Sequence, residues 1–173
     1  VSAGPTREPI DPVRFISNYS SGKMGYALAE SARNLGADVE LISGPVSIKI
    51  PENIKITSVE TSAEMLDAVL GKIPDCDVFI SAAAISDYRP SHKLTEKHKS
   101  SDGELVIRFE RGEDILKLAK ETNAGLYAVG FSAETSDISD NAKIKLEKKN
   151  IDMIISNEAN HQKGLGFESD MNE

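Results

Sequence analysis

From residue 20 onward, short runs of apolar and β-branched residues alternate with longer segments whose apolar side chains recur at helical spacing. This is the pattern of βαβ units wound around a parallel sheet. Its clearest member is Val78-Phe79-Ile80-Ser81-Ala82-Ala83-Ala84, an apolar and small-residue run with no polar face, which predicts a central strand covered on both sides. The spacing predicts a helix over 22–35, capped by Ser20 or Ser21, with Met24, Leu28, Ala32 and Leu35 on one face and Gly36 as the stop. Strands are expected over 38–43 and 54–59, followed by a helix capped by Thr61 or Ser62 that carries Met65, Leu66, Val69 and Leu70. Further strands at 104–110, 126–131 and 152–156 alternate with helices at 114–121 and 137–149. About six strands and four helices in alternation make one doubly wound α/β domain over residues 1–173, with a mostly parallel sheet in a Rossmann-like three-layer arrangement. Residues 88–103, where Pro90, Ser91, Ser100, Ser101, Asp102 and Gly103 interleave with lysines, read as a long mobile loop. The chain opens on Val1-Ser2-Ala3-Gly4 as at the end of a strand and stops at Glu173 after a polar stretch, so it is expected to be a domain trimmed at both ends.

Charge narrows the partners. Twenty Lys and Arg against 28 Asp and Glu leave a net charge of −8, which disfavours nucleic acid and anionic membrane as partners and requires any anionic ligand to meet a local basic cluster. The single cysteine, Cys76, forms no internal disulfide, and one thiol with three scattered histidines makes no zinc constellation, so no metal site is expected on the chain itself. No apolar run approaches the ~20 residues of a membrane span and no signal-peptide pattern is visible, so the expected location is cytoplasmic.

Ligands of doubly wound sheets sit outside the carboxyl ends of the strands, which selects a few segments. The first, residues 3–22, is far longer than an ordinary strand-to-helix connection, and long connections at this position usually bind something. Its arginines offer planar anion-recognising forks, and Asn18 donates and accepts without changing charge. Its end, Ser20-Ser21-Gly22-Lys23, presents free backbone N–H groups and hydroxyls at a helix start, which is an anion site in physical terms. A capped helix with two glycines packed close on the sheet explains the same residues, and Arg14 and Asn18 beside them favour the anion site. In the second segment, Ser81, Ala82 and Ala83 form a small-residue strand end on which a planar base could lie flat. Asp87 there either accepts from an amino group or serves as a cap or an ion-pair partner of Arg89. Lys93, Lys97 and Lys99 in the loop, and Lys143, Lys145, Lys148 and Lys149 on one helix, are the local basic exceptions. Such a helix is most often a solvated face, yet Lys145 and Lys149 share a side and could grip a polyphosphate. The NAD fingerprint G-x-G-x-x-G is absent, Ser43-Gly44 stands where an acidic ribose partner belongs, and Gly22-Lys23-Met24 does not match a P-loop.

The block Ala3-Gly4-Pro5-Thr6-Arg7-Glu8-Pro9-Ile10-Asp11-Pro12-Val13-Arg14-Phe15-Ile16-Ser17-Asn18, with Ser20-Ser21-Gly22-Lys23-Met24-Gly25, resembles the opening of the phosphopantothenoylcysteine synthetase (phosphopantothenate–cysteine ligase) family, the synthetase domain of bifunctional bacterial coenzyme A biosynthesis proteins. The likeness continues through 82–89, Val129 to Thr135, Lys149-Asn150-Ile151-Asp152 and Gly166-Phe167-Glu168-Ser169-Asp170. It implies a ligase that activates 4′-phosphopantothenate with CTP as an acyl-cytidylate, releases pyrophosphate, and passes the acyl group to L-cysteine. Magnesium would accompany the triphosphate, mainly through phosphate oxygens and water. The resemblance marks Asn18, Arg14 and Lys97 as catalytic, and Ser81, Ala82, Ala83 and Asp87 as base and ribose contacts. Glu113, Asp114, Ile115, Leu116, Phe131, Lys145 and Lys149 match the remaining nucleotide positions, again with Lys97. Two departures stand out: Ser100 replaces the last lysine of the family's K-x-K-K, and Gly112-Glu113-Asp114 replaces the commoner Asn-Pro-Asp. The resemblance also implies a homodimer and a fused or associated decarboxylase. The alternatives are the same ligation driven by ATP and a non-catalytic nucleotide-binding module, against which the retention of Asn18 and Lys97 in their motifs argues.

Overall fold

The computed structural model describes residues 1–99, 101, 103–134 and 138–158; Ser100, Asp102, Thr135 and the 166–170 motif lie outside the described residues. In chain order the strands are β1 (Ser2–Ala3), β2 (Arg7–Pro9), β3 (Phe15–Ser17), β4 (Glu40–Ser43), β5 (Lys55–Ser58), β6 (Val78–Ser81), β7 (Tyr88–Pro90), β8 (Phe109–Arg111), β9 (Tyr127–Glu134) and β10 (Met153–Glu158). The helices are α1 (Lys23–Asn34), α2 (Ser62–Leu70), α3 (Ile115–Thr122) and α4 (Ile138–Lys149), with a short 3-10 turn at Ile73–Asp75.

Six strands form one parallel sheet in the order β10-β9-β6-β1-β4-β5. The chain winds outward from β1 in one direction and, after crossing back, from β6 in the other, so the order reverses between β1 and β6. That is the doubly wound arrangement expected from the alternation, and it puts the topological switch point, where such sheets bind ligands, at the carboxyl ends of these two neighbours. Strand alternation divides the core. On β4, Leu41 faces a cluster with Tyr26 and Ala29 of α1, while the next residue, Ile42, faces the opposite cluster with Met65 and Val69 of α2, Ile115, Leu116 and Ala119 of α3, and Leu126 and Ala128. One helix covers one face and three cover the other, the three layers predicted.

Several sequence expectations shift. The helix expected at 22–35 runs over Lys23–Asn34, and its sheet-facing stripe is Gly25, Tyr26 and Ala29 in place of Met24, Leu28 and Leu35; Leu35 is 89% exposed. The reason is distance: a Cβ on Gly25 would lie 2.5 Å from the Ala3 Cβ, so α1 rests almost on β1 and only small side chains fit between. The cap is Gly22 and not a serine. Its φ of 81° suits glycine, and an added Cβ would meet Val46 at 2.7 Å and the Gly4 Cα at 3.3 Å. The serines do assist, since Ser20 Oγ accepts from the Gly22 N–H at 3.3 Å and Ser21 Oγ from that of Lys23 at 3.4 Å. Both glycines do allow the close packing inferred for them. At α2 the choice falls on Thr61, whose hydroxyl accepts from the Glu64 N–H at 3.2 Å while Glu64 reaches back to the Thr61 N–H, a capping box.

The strand expected over 104–110 is reduced to β8, and it lies outside the main sheet, paired antiparallel with β7. Alternation over so short a run fits a two-stranded ribbon as well as a sheet strand. The long first connection likewise contains structure that periodicity did not signal: β2 and β3 pair antiparallel, Arg7 opposite Ser17, with the Arg7 guanidinium 4.6 Å from the Phe15 ring centroid. Among the described residues no helix is long and apolar enough to cross a membrane.

Candidate functional site at the strand switch point

The loops that leave β1 and β6 are stitched together by backbone bonds. Past its last strand residue, β1 continues alongside β6: Ala82 N–H donates to Ser2 O at 3.2 Å, Ala84 N–H to Gly4 O at 2.9 Å and Thr6 N–H to Ala84 O at 3.2 Å. Thr6 is fully buried, and its hydroxyl accepts from the Ser86 N–H at 3.0 Å. Ser17 Oγ donates to Thr6 O at 2.7 Å, which fixes the end of β3 over the same point. Asn18, the next residue, then donates from Nδ2 to Ala84 O at 3.0 Å. One amide hydrogen is so engaged. Among the described residues the second hydrogen and the carbonyl oxygen have no partner, which leaves a neutral donor and acceptor pair at the switch point.

From the 82–87 segment the connections run to α3. Gly112 N–H donates to Asp87 O at 2.8 Å, bringing the start of α3 beside the end of the second loop. Asp114 caps that helix, accepting from the Lys117 N–H at 3.2 Å, and its carboxylate pairs with Lys149 of α4 at 3.0 Å. Ile115 and Leu116 bury their side chains in the core, so what they can offer a ligand is backbone N–H at a helix start. Glu113 is exposed. Phe131 lies in β9 opposite Ile155, half-buried, and Lys145 is half-buried on α4.

On the other side, the first loop meets the lysine-bearing loop. Asp11 is buried, and its Oδ1 accepts from the Val13 and Arg14 N–H groups, both at 2.9 Å, while Oδ2 takes Arg14 Nε at 2.9 Å. Burial pushes the Asp11 carboxyl up, but the Val13 N–H, the Arg14 guanidinium and the Arg14 N–H together pull it down to about 2. The same guanidinium donates from Nη2 to the His98 carbonyl. Lys97, next to it, is exposed.

The structure therefore places Asn18, Ser81, Ala82, Ala83 and Asp87 at the carboxyl ends of β1 and β6, with the start of α3 tied to Asp87 through Gly112, and it ties the segment that carries Lys97 to the 10–14 turn through Arg14. It decides some alternatives left open. Arg89 pairs with Glu110 at 2.9 Å, so the ion pair considered for Asp87 is not formed. Arg14 is held by a carboxylate and a backbone carbonyl, and is less an open anion fork than a strut. Lys149 is paired with Asp114, so any polyphosphate must compete for it. Sequence reasoning missed Thr6 and Asp11. The signal for Asp11 was there: Asp11-Pro12 opens a turn of the kind in which an aspartate accepts from backbone two and three residues on. Thr6 had none, because its partners lie some 80 residues away.

Comparison with known proteins bears on what this crevice is for. The DNA/pantothenate metabolism flavoprotein C-terminal domain family matches the chain over residues 1–173. The chain is 46% identical over 175 residues to the coenzyme A biosynthesis bifunctional protein CoaBC of Vibrio vulnificus (strain YJ016), covering 99% of this chain and 43% of that protein. It is 46% identical over 173 residues to the protein of the same name from Bacillus subtilis (strain 168), covering 99% and 42%. The chain thus spans less than half the length of these relatives. Among solved structures, the crystal structure of the C-terminal domain of coenzyme A biosynthesis bifunctional protein CoaBC superposes with a TM-score of 0.81 at 45% identity, over 92% of this chain and 76% of that one.

Proposed function

Because the chain belongs to the DNA/pantothenate metabolism flavoprotein C-terminal domain family, we propose that it is the domain of a coenzyme A biosynthesis enzyme that ligates 4′-phosphopantothenate to L-cysteine, driven by CTP. The observation that carries this reading is the Asn18 carboxamide, held by Ala84 O at 3.0 Å at the strand switch point between two loops of the matching motif.

In the first step a carboxylate oxygen of phosphopantothenate forms a bond to the α-phosphorus of CTP as the bond to pyrophosphate breaks. In the second, the cysteine nitrogen attacks the acyl carbon, the bond to CMP breaks, and the amine gives up a proton. The charge gathered in the first step calls for cations and oriented N–H groups, with no need for a nucleophilic Ser or Cys. Asn18 supports the acyl-nucleotide with its remaining amide hydrogen without adding charge. The N–H groups at the start of α3, at Glu113 to Leu116, face phosphate, while at the start of α1 a phosphate would displace the Ser20 and Ser21 hydroxyls from the Gly22 and Lys23 N–H groups. Lys97, Lys145 and Lys149 add positive charge, Ser81, Ala82, Ala83 and Asp87 take the base and ribose, and Phe131 flanks them.

Magnesium would come with the triphosphate. Among the described residues no group of three or more His, Cys, Asp or Glu side chains is arranged to hold a metal, and a magnesium ion arriving with the triphosphate would be held mainly through phosphate oxygens and water. It would supply charge neutralisation on the phosphates. A cytoplasmic homodimer, with a decarboxylase fused or associated, completes the reading.

The test is a parallel assay of the full-length protein with phosphopantothenate, cysteine and Mg²⁺, with CTP or ATP supplied separately. Phosphopantothenoylcysteine, CMP and pyrophosphate are expected with CTP; CDP and phosphate would refute acyl-nucleotide activation, and preference for ATP would reassign the base.

A further inference from the structure

Two carboxylates are buried among the described residues, Glu8 and Asp11. Glu8 has a local structural partner, accepting from the Ser62 N–H at 2.9 Å at the start of α2. Asp11 does more than close its own turn. Its Oδ1 takes the two turn N–H groups, which a turn aspartate does anywhere. Its Oδ2 takes Arg14, with Nη2 at 2.6 Å, and also the His98 N–H at 3.4 Å. Arg14 Nη2 in turn donates to the His98 carbonyl. The ion pair therefore holds both polar groups of one backbone residue in a different loop, and a third bond, Leu94 N–H to Ile10 O at 2.9 Å, joins the same two segments.

We propose that Asp11 is a positioning residue: with Arg14 it clips the main chain at His98 to the 10–14 turn and so fixes the backbone from which Lys97 reaches toward the substrates. The clip itself follows from geometry, and the catalytic consequence rests on the ligase reading above. Residues 91–99 have no helix or strand of their own, so their position comes from isolated bonds such as these and Ser91 N–H to Arg108 O at 2.9 Å. An exposed lysine on an unanchored segment samples many places, and fixing its backbone removes much of that entropy before the substrate arrives. The buried carboxylate stays ionised, with its carboxyl near 2, which keeps both Arg14 and the His98 N–H as donors toward it.

Asp11→Asn separates the clip from the turn. The asparagine oxygen still serves the turn N–H groups, whereas its NH₂ faces the Arg14 and His98 donors and can accept from neither. In the full-length protein, amide exchange of residues 94–99 in this variant should quicken roughly 10-fold or more, with the amides of the central sheet unchanged. With the proposed substrates, kcat should fall roughly 10- to 100-fold, as expected of a misplaced group, with a smaller change in KM. Combined with Lys97→Gln, it should cost nothing further, because a clip that works through Lys97 has nothing left to position. Arg14→Lys, which keeps a cation beside Asp11 but cannot span to His98 in the same way, should reproduce the faster exchange and guards against a folding defect peculiar to the first variant. Unchanged exchange at 94–99 in both variants overturns the clip. A double variant slower than Lys97→Gln by the full Asp11→Asn factor overturns its action through Lys97. If the wild type makes no product, the ligase reading falls and the exchange measurement still decides the clip.

Discussion

The two walls of the crevice are built by different physics. On the β1 side, Thr6, Glu8 and Asp11 are each at most 2% exposed, and each binds backbone: Thr6 that of Ser86, Glu8 that of Ser62, and Asp11 that of its own turn and His98. On the α3 and α4 side, the charged contact is Lys149 with Asp114, both side chains about a third exposed at 31% and 32%. Buried bonds of the first kind are costly to leave unmade, whereas an ion pair a third exposed is worth little and exchanges readily. The β1 wall is thus a fixed frame that presents Asn18. The α3 and α4 side holds a cation that the proposed phosphate would have to take over from Asp114.

The contrast can be broken in order of size. Asn18→Asp should have the largest effect, because it puts a carboxylate against an anionic intermediate and removes the donor to Ala84 O. Steady-state product formation should drop on the order of 10²–10³-fold, as when one stabilising donor is removed from a preorganised site. Undiminished turnover would show that the frame presents nothing of catalytic use. Thr6→Val keeps shape but leaves the Ser86 N–H without its acceptor, for a loss of about 1–3 kcal/mol in denaturant unfolding. A loss no larger than that of a surface substitution would mean that water replaces the hydroxyl and that the frame is softer than described.

Asp11 gives the contrast a pH signature. Its carboxyl is lowered from 3.8 to about 2, so the unfolded chain takes up the proton first as pH falls. The stabilisation is complete above the ordinary value and is lost as pH drops through the lower one. Melting temperatures of wild type and Asp11→Asn should converge between pH 3.8 and about 2; a gap that stays constant over this window would assign the effect to packing alone. The smallest expected effect on stability is that of Lys149→Gln on the other wall, under about 1 kcal/mol after solvent screening. The same variant should raise the nucleotide KM several-fold, and an unchanged KM would remove Lys149 from the site.

Much of the fold was legible in local pattern. Val78 to Ala84 lacks a polar face because its strand is covered on both sides, and Thr61 with Glu64 spells a capping box within four residues. Such signals survive because helix and strand periods, caps and turn residues act between near neighbours. Errors came where distant surfaces intervened. The stripe of α1 moved to Gly25, Tyr26 and Ala29 because Ala3 of β1 lies directly beneath it. The alternating 104–110 segment became a ribbon strand because β7 was its available partner.

Sequence alone was enough to identify the family, and it nominated the loops after β1 and β6, the small residues 81–83 and Asn18 as the candidate site. Only the tertiary structure decided which charges are paired. Arg89 went to Glu110, Lys149 to Asp114, and Arg14 to Asp11 and His98. A charge chooses its partner by a Coulomb energy that depends on separation and burial, and neither is set until segments far apart in the chain have packed. The motif names the candidate groups, and packing determines which of them are already paired.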